Sequence, residues 1–272
     1  MNTNMLEIFQ YSFMVRAFIA GTVIGIIAPM IGTFLVTRRY ALMADSLSHI
    51  ALSGIAIGLL SGIYPVYTAL LVTVVAAVFI EYLRAKRGLS GDVALAMFLY
   101  GGLALAVILI SLARGFNTGL FSYLFGSITT VRAVDLWVIS SLGLATIIVV
   151  YFLYDEFLYV SFNEEAAKVS GIPVSILNSV LVVLTAITVS LSMRIVGLLL
   201  IGALMVIPVV AAMQIARSFI KTLVYAVGFG VISVMLGLFI SYYLNLAAGG
   251  TIVAISLGLF GISAIISHRK HI

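Results

Sequence analysis

The sequence predicts an all-α fold, a polytopic membrane helix bundle of about nine transmembrane helices. Composition is the first reason: hydrophobic residues make up 64% of the 272 residues and charged residues only 8%, whereas soluble domains contain about 25% charged residues. The second reason is that uncharged apolar runs recur along the chain, most of them near the length of about 20 residues that crosses a bilayer. The third is that basic residues cluster between these runs, as in the loops of membrane proteins.

The uncharged runs place the helices in order along the chain. Region 41–83 holds two helices that separate near Gly62 and Pro65, and region 222–267 holds two that separate near Asn245. Single helices are predicted within 17–37, 93–113, 136–154, 169–193 and 195–216. The total is about nine, with a margin of one. Segment 115–131 is uncharged but rich in Gly, Ser, Thr and Asn, which favours a short re-entrant or interfacial helix.

Basic clusters predict the orientation of the bundle, because Lys and Arg concentrate in cytoplasmic loops. The clusters lie at 38–39, 84–87, 217–221 and 269–270. With nine spans and the N-terminus outside, all of them fall on the cytoplasmic side. We therefore expect the N-terminus outside and the C-terminus in the cytoplasm.

The length of the apolar run that follows Asp45 and His49 places both residues within a predicted membrane span. Residues 50–80 contain no charged residue and no histidine, but they are too few for two helices and a turn. The second helix can run from about 66 to 83, so the first must reach back to about residue 41. A carboxylate inside the span costs roughly 2.5–3.5 kcal/mol on insertion scales, which makes such a group a functional candidate.

Helical spacing places Asp45, Ser48 and His49 on one face, and Ser53 continues that face. A carboxylate oxygen and an imidazole nitrogen can converge there on one small cation, since both are ligands for Zn²⁺ and carboxylate oxygen also suits Mn²⁺. The spacing equally allows an Asp–His pair that satisfies itself at a helix end. Both interpretations remain open on spacing alone.

Segment 154–173 is the longest polar connection and predicts a short capped helix outside the bilayer. Asn163 can act as the N-cap, Glu164 and Glu165 favour the first turn, and Gly171 can take the left-handed conformation after the helix. On physical grounds alone, a solvated loop helix explains the pattern.

The remaining polar residues near span ends are interpreted as ion pairs and a turn. Asp135 and Arg132 are three residues apart and predict a surface pair, while Arg194 interrupts two apolar runs and predicts a turn. Glu81 precedes Arg84 near a span end and is expected to pair with it or to extend towards the interface.

Several functions are excluded by missing sequence features. The chain has no cysteine, so it forms no disulfide, thiolate metal site or cysteine nucleophile. It has no Walker phosphate-binding motif, serine-nucleophile elbow or zinc-protease motif, which predicts that it is not an enzyme. No basic stripe with interleaved aromatic residues occurs, so no nucleic-acid partner is expected. The expected surroundings are the lipid bilayer.

The stretch Asp-Ser-Leu-Ser-His-Ile-Ala-Leu-Ser-Gly at 45–54 resembles the signature of the ABC permeases that import zinc, manganese or iron. The segments 123–127 and 196–208 are similar to later conserved segments of that family, in the same order. The resemblance covers roughly residues 15–265. Ser53 departs from the family, whose members often carry proline there.

The resemblance implies that residues 1–272 form a single transmembrane permease domain in the inner or plasma membrane of the cell. It implies a homodimer of permeases, separate ATP-binding subunits, an extracytoplasmic metal-binding protein and a transported metal rather than a permanently bound cofactor. Asp45 and His49 are then the expected metal ligands. The helix with Glu164, Glu165 and Gly171 is expected to receive motion from the ATPase.

Two alternatives stay open. In a proton-coupled secondary metal transporter, Asp45 and His49 would relay protons. An ABC permease for a larger metal-containing cofactor would share the architecture without needing the pair. The sequence does not choose between Zn²⁺, Mn²⁺ and Fe²⁺, since carboxylate and imidazole bind all three.

Overall fold

A computed structural model describes residues 10–87, 91–112 and 118–269, and within these ranges the chain is helical without β-strands. A 3₁₀ turn at Ile128–Thr130 follows the fifth helix. The helices are α1 (Ser12–Thr37), α2 (Leu42–Ser61), α3 (Pro65–Arg87), α4 (Gly91–Leu112), α5 (Thr118–Phe125), α6 (Ala133–Phe152), α7 (Tyr154–Phe162), α8 (Glu164–Val169), α9 (Val174–Ser192), α10 (Ile201–Ile215), α11 (Phe219–Leu244) and α12 (Ala248–Arg269).

Eight of the described helices are long and apolar enough to cross a membrane: α1, α2, α3, α4, α6, α9, α11 and α12. The remaining predicted span, 195–216, begins with irregular backbone and then forms the 15-residue α10. At 1.5 Å per residue α10 is only about 22 Å long, shorter than a hydrocarbon core of about 30 Å. The helical membrane bundle is thus confirmed, and the span count falls within the predicted margin.

The helices form an inner group and a periphery. About two thirds or more of the residues of α1, α2 and α9 are buried within the bundle, against about a third or fewer for α3, α4, α6, α11 and α12. α2 packs against α3 and α4, α1 against α11, and α10 against α11 and α12. The peripheral helices present large apolar side chains outward, as lipid-facing helices do. The helix that carries Asp45 and His49 therefore belongs to the inner group.

Glycines allow α1 and α2 to approach neighbouring helices closely. A Cβ added at Gly54 would lie 2.6 Å from the Cα of Ala69 in α3. At Gly32 it would lie 1.9 Å from the carbonyl oxygen of Met205 in α10. Larger side chains at these positions would separate α2 from α3 and α1 from α10.

Irregular backbone between α9 and α10 pairs with the end of α5. The N–H of Ser127 donates to the carbonyl of Arg194 at 3.0 Å, and the N–H of Leu198 donates to the carbonyl of Tyr123 at 2.9 Å. These bonds satisfy polar groups that would otherwise be unpaired at membrane depth. The described part of 115–131 thus forms a short helix rather than a span, as predicted, and this helix has a buried side with Tyr123 and an exposed side with Phe121.

Two glycines make this pairing possible. Gly126 and Gly197 have φ values of +75° and +86°, which L-residues with a side chain rarely adopt. An added Cβ would lie 2.1 Å from the carbonyl oxygen of Ile195 in the first case and 2.4 Å from that of Leu124 in the second. The family-like segments 123–127 and 196–208 are therefore joined by backbone contacts that require glycine.

Candidate metal pathway and coupling helix

Asp45 and His49 lie in the first two turns of α2. Both are partly exposed, whereas the residues between them, 46–48, are almost completely buried. The pair therefore occupies the more accessible face of an otherwise enclosed turn. Gly202, in the first turn of α10, is next to it: a Cβ there would lie 3.8 Å from the Cβ of Asp45. The N-terminus of a helix favours nearby negative charge, so the start of α10 attracts the Asp45 carboxylate.

The two serines predicted on the same face hydrogen-bond to backbone carbonyl groups. The Ser48 hydroxyl donates to the carbonyl of Asp45 at 2.7 Å. The Ser53 hydroxyl donates to the carbonyl of Gly102 in α4, also at 2.7 Å. Ser53 thus ties α2 to α4 by a bond that proline cannot make. The Asp45 carboxylate and the His49 imidazole remain as the candidate ion-binding groups of this face.

Within the described ranges, no group of three or more His, Cys, Asp or Glu side chains comes close enough to hold a metal ion. Asp45 and His49 can supply two ligands to a divalent cation. Water or oxygen atoms of the chain would have to complete its coordination. Such an open site suits an ion that is cargo, because a closed set of four ligands is typical of permanent structural metal sites.

At the opposite end of α2, a buried polar network contradicts the predicted surface pair of Asp135 and Arg132. Asp135 is not in a surface pair: it is 1% exposed. Its carboxylate accepts from the hydroxyl of Tyr64 at 2.6 Å and from the backbone N–H of Arg132 at 2.9 Å. Arg194 does lie in a turn, but it is only 6% exposed and its Nε lies 3.6 Å from the Asp135 carboxylate. Buried ions need such partners because removal from water costs several kcal/mol per ion.

Aromatic rings complete this network. The Arg194 guanidinium lies 4.4 Å from the ring centre of Tyr123, and it donates to the Tyr64 hydroxyl at 2.9 Å. Burial, together with the hydrogen bond to Asp135, raises the pKa of Tyr64 to about 12. The hydroxyl therefore keeps its proton and bridges the two charges. A cavity of about 790 Å³ opens beside these residues and is also lined by Arg16 and Arg132.

The capped helix predicted in 154–173 is present as α8, which follows the short α7. The Asn163 side chain accepts from the N–H of Ala166 at 2.9 Å, as an N-cap does. Gly171 has φ +82°. Its N–H donates to the carbonyl of Lys168, and the next N–H donates to that of Ala167, both at 3.1 Å. This pair of backbone hydrogen bonds is typical of a helix that ends at a residue with a left-handed backbone conformation.

α8 presents an unusual surface for a segment outside the spans. Val169 is 89% exposed, and Phe162 just before α8 is 68% exposed. Glu165 is also exposed, whereas Glu164 is partly buried and pairs with Lys168 at 3.1 Å. Apolar side chains beside charged ones in this way are typical of protein interaction sites.

The profile of the ABC 3 transport family matches residues 10–267. The chain belongs to this family. It is 33% identical over 96% of its length to the manganese transport system membrane protein MntC of Listeria monocytogenes, 93% of which is covered. It is 32% identical over 93% of its length to the high-affinity zinc uptake system membrane protein ZnuB of Haemophilus influenzae, 97% of which is covered.

The fold agrees with this assignment. The solved structure of PsaBC from Streptococcus pneumoniae in complex with Fab matches 97% of this chain and 95% of its own, with a TM-score of 0.85 and 32% identity. As a member of the ABC 3 transport family with eight described helices that can span a bilayer, the chain is a multi-pass membrane transport protein of the plasma membrane. The expected resemblance to metal permeases is confirmed.

Proposed function

We propose that this chain is the membrane-spanning subunit of an ATP-driven importer of divalent transition metal ions, with residues 1–272 forming one permease domain. The observation that carries the proposal is the Asp45–His49 pair on the inner helix α2, in a family whose relatives are named for manganese and zinc transport. Iron remains within the proposal, because the same ligands bind Fe²⁺.

In this proposal Asp45 and His49 bind the ion transiently on its way through the bundle. The carboxylate must be ionised and the imidazole neutral, so binding weakens on acidification as protons compete with the metal. Two ligands from neighbouring turns hold the ion without enclosing it. The ion can then leave towards the cytoplasm when the pathway opens there.

ATP is bound and hydrolysed by separate subunits in this proposal, because the sequence has no Walker motif. We assign α8 as the helix that contacts them. Its exposed Val169 and Glu165 supply the contact surface, and Gly171 sets the direction of the chain into α9. The extracytoplasmic metal-binding protein would deliver the ion at the Tyr64 end of the bundle. A second copy of the permease would complete the transporter as a homodimer.

Uptake by proteoliposomes tests the proposal. The permease is reconstituted with its ATPase subunits, and uptake of Mn²⁺ and of Zn²⁺ is measured for the wild type, Asp45→Asn and His49→Ala. Both variants should lose most uptake while still assembling. His268→Ala removes an exposed histidine from α12 and is the matched control, for which normal uptake is expected.

Two further conditions separate the alternatives. Uptake should stop without ATP and continue when the proton gradient is dissipated. Uptake that follows the proton gradient instead would identify a secondary transporter. Wild-type uptake in both Asp45→Asn and His49→Ala would remove the pair from the metal pathway, whereas absence of Mn²⁺ and Zn²⁺ uptake by the wild type would favour a larger, metal-containing substrate.

A further inference from the structure

The turn between α1 and α2 leads directly into the candidate metal site. The N–H of Tyr40 donates to the carbonyl of Leu35 at 2.8 Å, and that of Arg39 donates to Val36 at 3.1 Å. Arg39 takes a φ of +60°, so the chain uses a left-handed residue to reverse direction. α2 starts only two residues after Tyr40, and Asp45 lies in its first turn.

Two side chains of this turn bind other helices. The Arg38 guanidinium donates to the side-chain oxygen of Asn178 in α9, and Asn178 is 3% exposed. The Tyr40 hydroxyl accepts from Arg84 in α3 at 2.6 Å. Arg84 also donates two bonds, 2.8 and 2.7 Å long, to Glu81, which is 2% exposed. Arg38, Tyr40, Glu81, Arg84 and Asn178 are here called the corner cluster.

The corner cluster lies beside the proposed coupling helix. α8 is joined to α9 by only a few residues, and Asn178 lies in the second turn of α9. Glu164 of α8 is close enough for its charge to interact with Arg84 and Arg38. Partial burial raises the pKa of Glu164, but the hydrogen bond from Lys168 and these arginine charges outweigh it and lower the pKa overall.

We propose that the corner cluster transmits movement of α8 and α9 to α2, so that Asp45 and His49 shift when the ATPase subunits move α8. This inference rests on the proposed function. Charge-assisted hydrogen bonds with planar guanidinium groups have a fixed geometry, and the two acceptor side chains that they hold, those of Glu81 and Asn178, are almost completely buried. The α1–α2 turn is therefore tied to both α9 and α3, and a displacement of α9 pulls the start of α2 with it.

The test uses Arg38→Met, which keeps an unbranched apolar stem and removes the bond to Asn178. ATP-driven Mn²⁺ uptake should fall about tenfold or more, the effect expected for the loss of a hydrogen bond from a charged group. ATP hydrolysis by the reconstituted complex should stay within about twofold of the wild type, so that less metal is moved per ATP. Arg39→Met is the matched control, because Arg39 is exposed and carries the same charge one residue further along.

Two measurements separate this inference from the proposed function. Equilibrium binding of Mn²⁺ to the purified permease should be normal in Arg38→Met and lost in Asp45→Asn. If the wild type binds neither Mn²⁺ nor Zn²⁺, the proposed function fails. The corner cluster can still be tested in that case by the distance between two spin labels, attached at Leu42→Cys and Ile176→Cys. Labelling is specific because the chain has no other cysteine, and both positions are exposed.

The expected distance between the two labels is the same with and without ATP in the wild type and changes with ATP in Arg38→Met. Tyr40→Phe is the milder variant if Arg38→Met does not assemble, since it removes only one hydroxyl, and it should lower uptake per ATP in the same direction. The inference is overturned if uptake and hydrolysis fall in parallel, if Arg39→Met matches Arg38→Met, or if both cluster variants transport normally.

Discussion

Replacing Asp135 with asparagine should destabilise the protein strongly, because the change leaves the Arg194 guanidinium buried without its counter-ion. Asp135 is 1% exposed and Arg194 is 6% exposed, so water reaches only a small part of the guanidinium and compensates little for the lost charge. Breaking a buried pair in this way costs about 3–5 kcal/mol. An exposed Asp–Arg pair, as the sequence alone predicts for Asp135, contributes only about 0–1 kcal/mol. The two interpretations therefore differ by several kcal/mol.

The size of the loss depends on what asparagine retains. The Tyr64 hydroxyl and the Arg132 N–H donate to different oxygens of the carboxylate, at 2.6 and 2.9 Å, whereas an amide has a single acceptor oxygen. Asparagine can therefore keep only one of these two hydrogen bonds. The negative charge beside the Arg194 guanidinium is lost as well. We therefore expect about 3–5 kcal/mol, the range for a broken buried pair.

Unfolding can be followed by the fluorescence of Trp137, the single tryptophan of the chain, which lies two residues from Asp135. The protein is purified in detergent, and the midpoint of denaturation is compared between the wild type, Asp135→Asn and Asp155→Asn. Asp155 is exposed in α7, so its replacement should change stability by no more than about 0.5 kcal/mol.

A double-mutant cycle makes the test decisive. Arg194→Met alone leaves the Asp135 carboxylate buried without its counter-ion, whereas the double variant with Asp135→Asn removes both charges. The double variant should therefore be more stable than the sum of the single effects predicts, by about 1 kcal/mol or more. Additive losses, or an Asp135→Asn protein as stable as Asp155→Asn, would refute the buried-pair reasoning.

Three further predictions concern topology, the coupling helix and pH. Reporter fusions at Arg87, Gly119 and Ile272 should read inside, outside and inside, and an outside reading at Ile272 would overturn the predicted orientation. Gly171→Val should reduce ATPase association or coupled transport without affecting membrane insertion. A Cβ added at Gly171 would meet nothing within 4 Å, so the strain comes only from its φ of +82° and amounts to about 1–2 kcal/mol. Normal coupled transport in this variant would argue against the docking role. Because the folded-state pKa of Glu164 is lowered from 4.5, its stabilising effect should be present above pH 4.5 and disappear as the pH falls through the folded-state value. The difference in melting temperature between the wild type and Glu164→Gln, measured over that pH range, checks the sign.

The local patterns of the sequence were sufficient for several features. Uncharged runs located the long helices, and i, i+4 spacing placed Asp45 and His49 on one face of α2. The cap residues Asn163 and Gly171 bounded α8 correctly, since capping depends on a few neighbouring residues. Orientation in the membrane and the roles of these residues remain predictions.

Only the tertiary structure decided which distant polar groups meet. Tyr64 and Asp135 are 71 residues apart, and Arg38 and Asn178 are 140 apart. Composition and spacing report whether a residue suits a helix or a membrane, but not which helix packs beside it. The same holds for the shortened α10, whose preceding residues 193–200 are irregular because α5 supplies partners for their backbone groups. In a bilayer every such group must find a partner within the protein, and the packing of distant segments determines which partner it is.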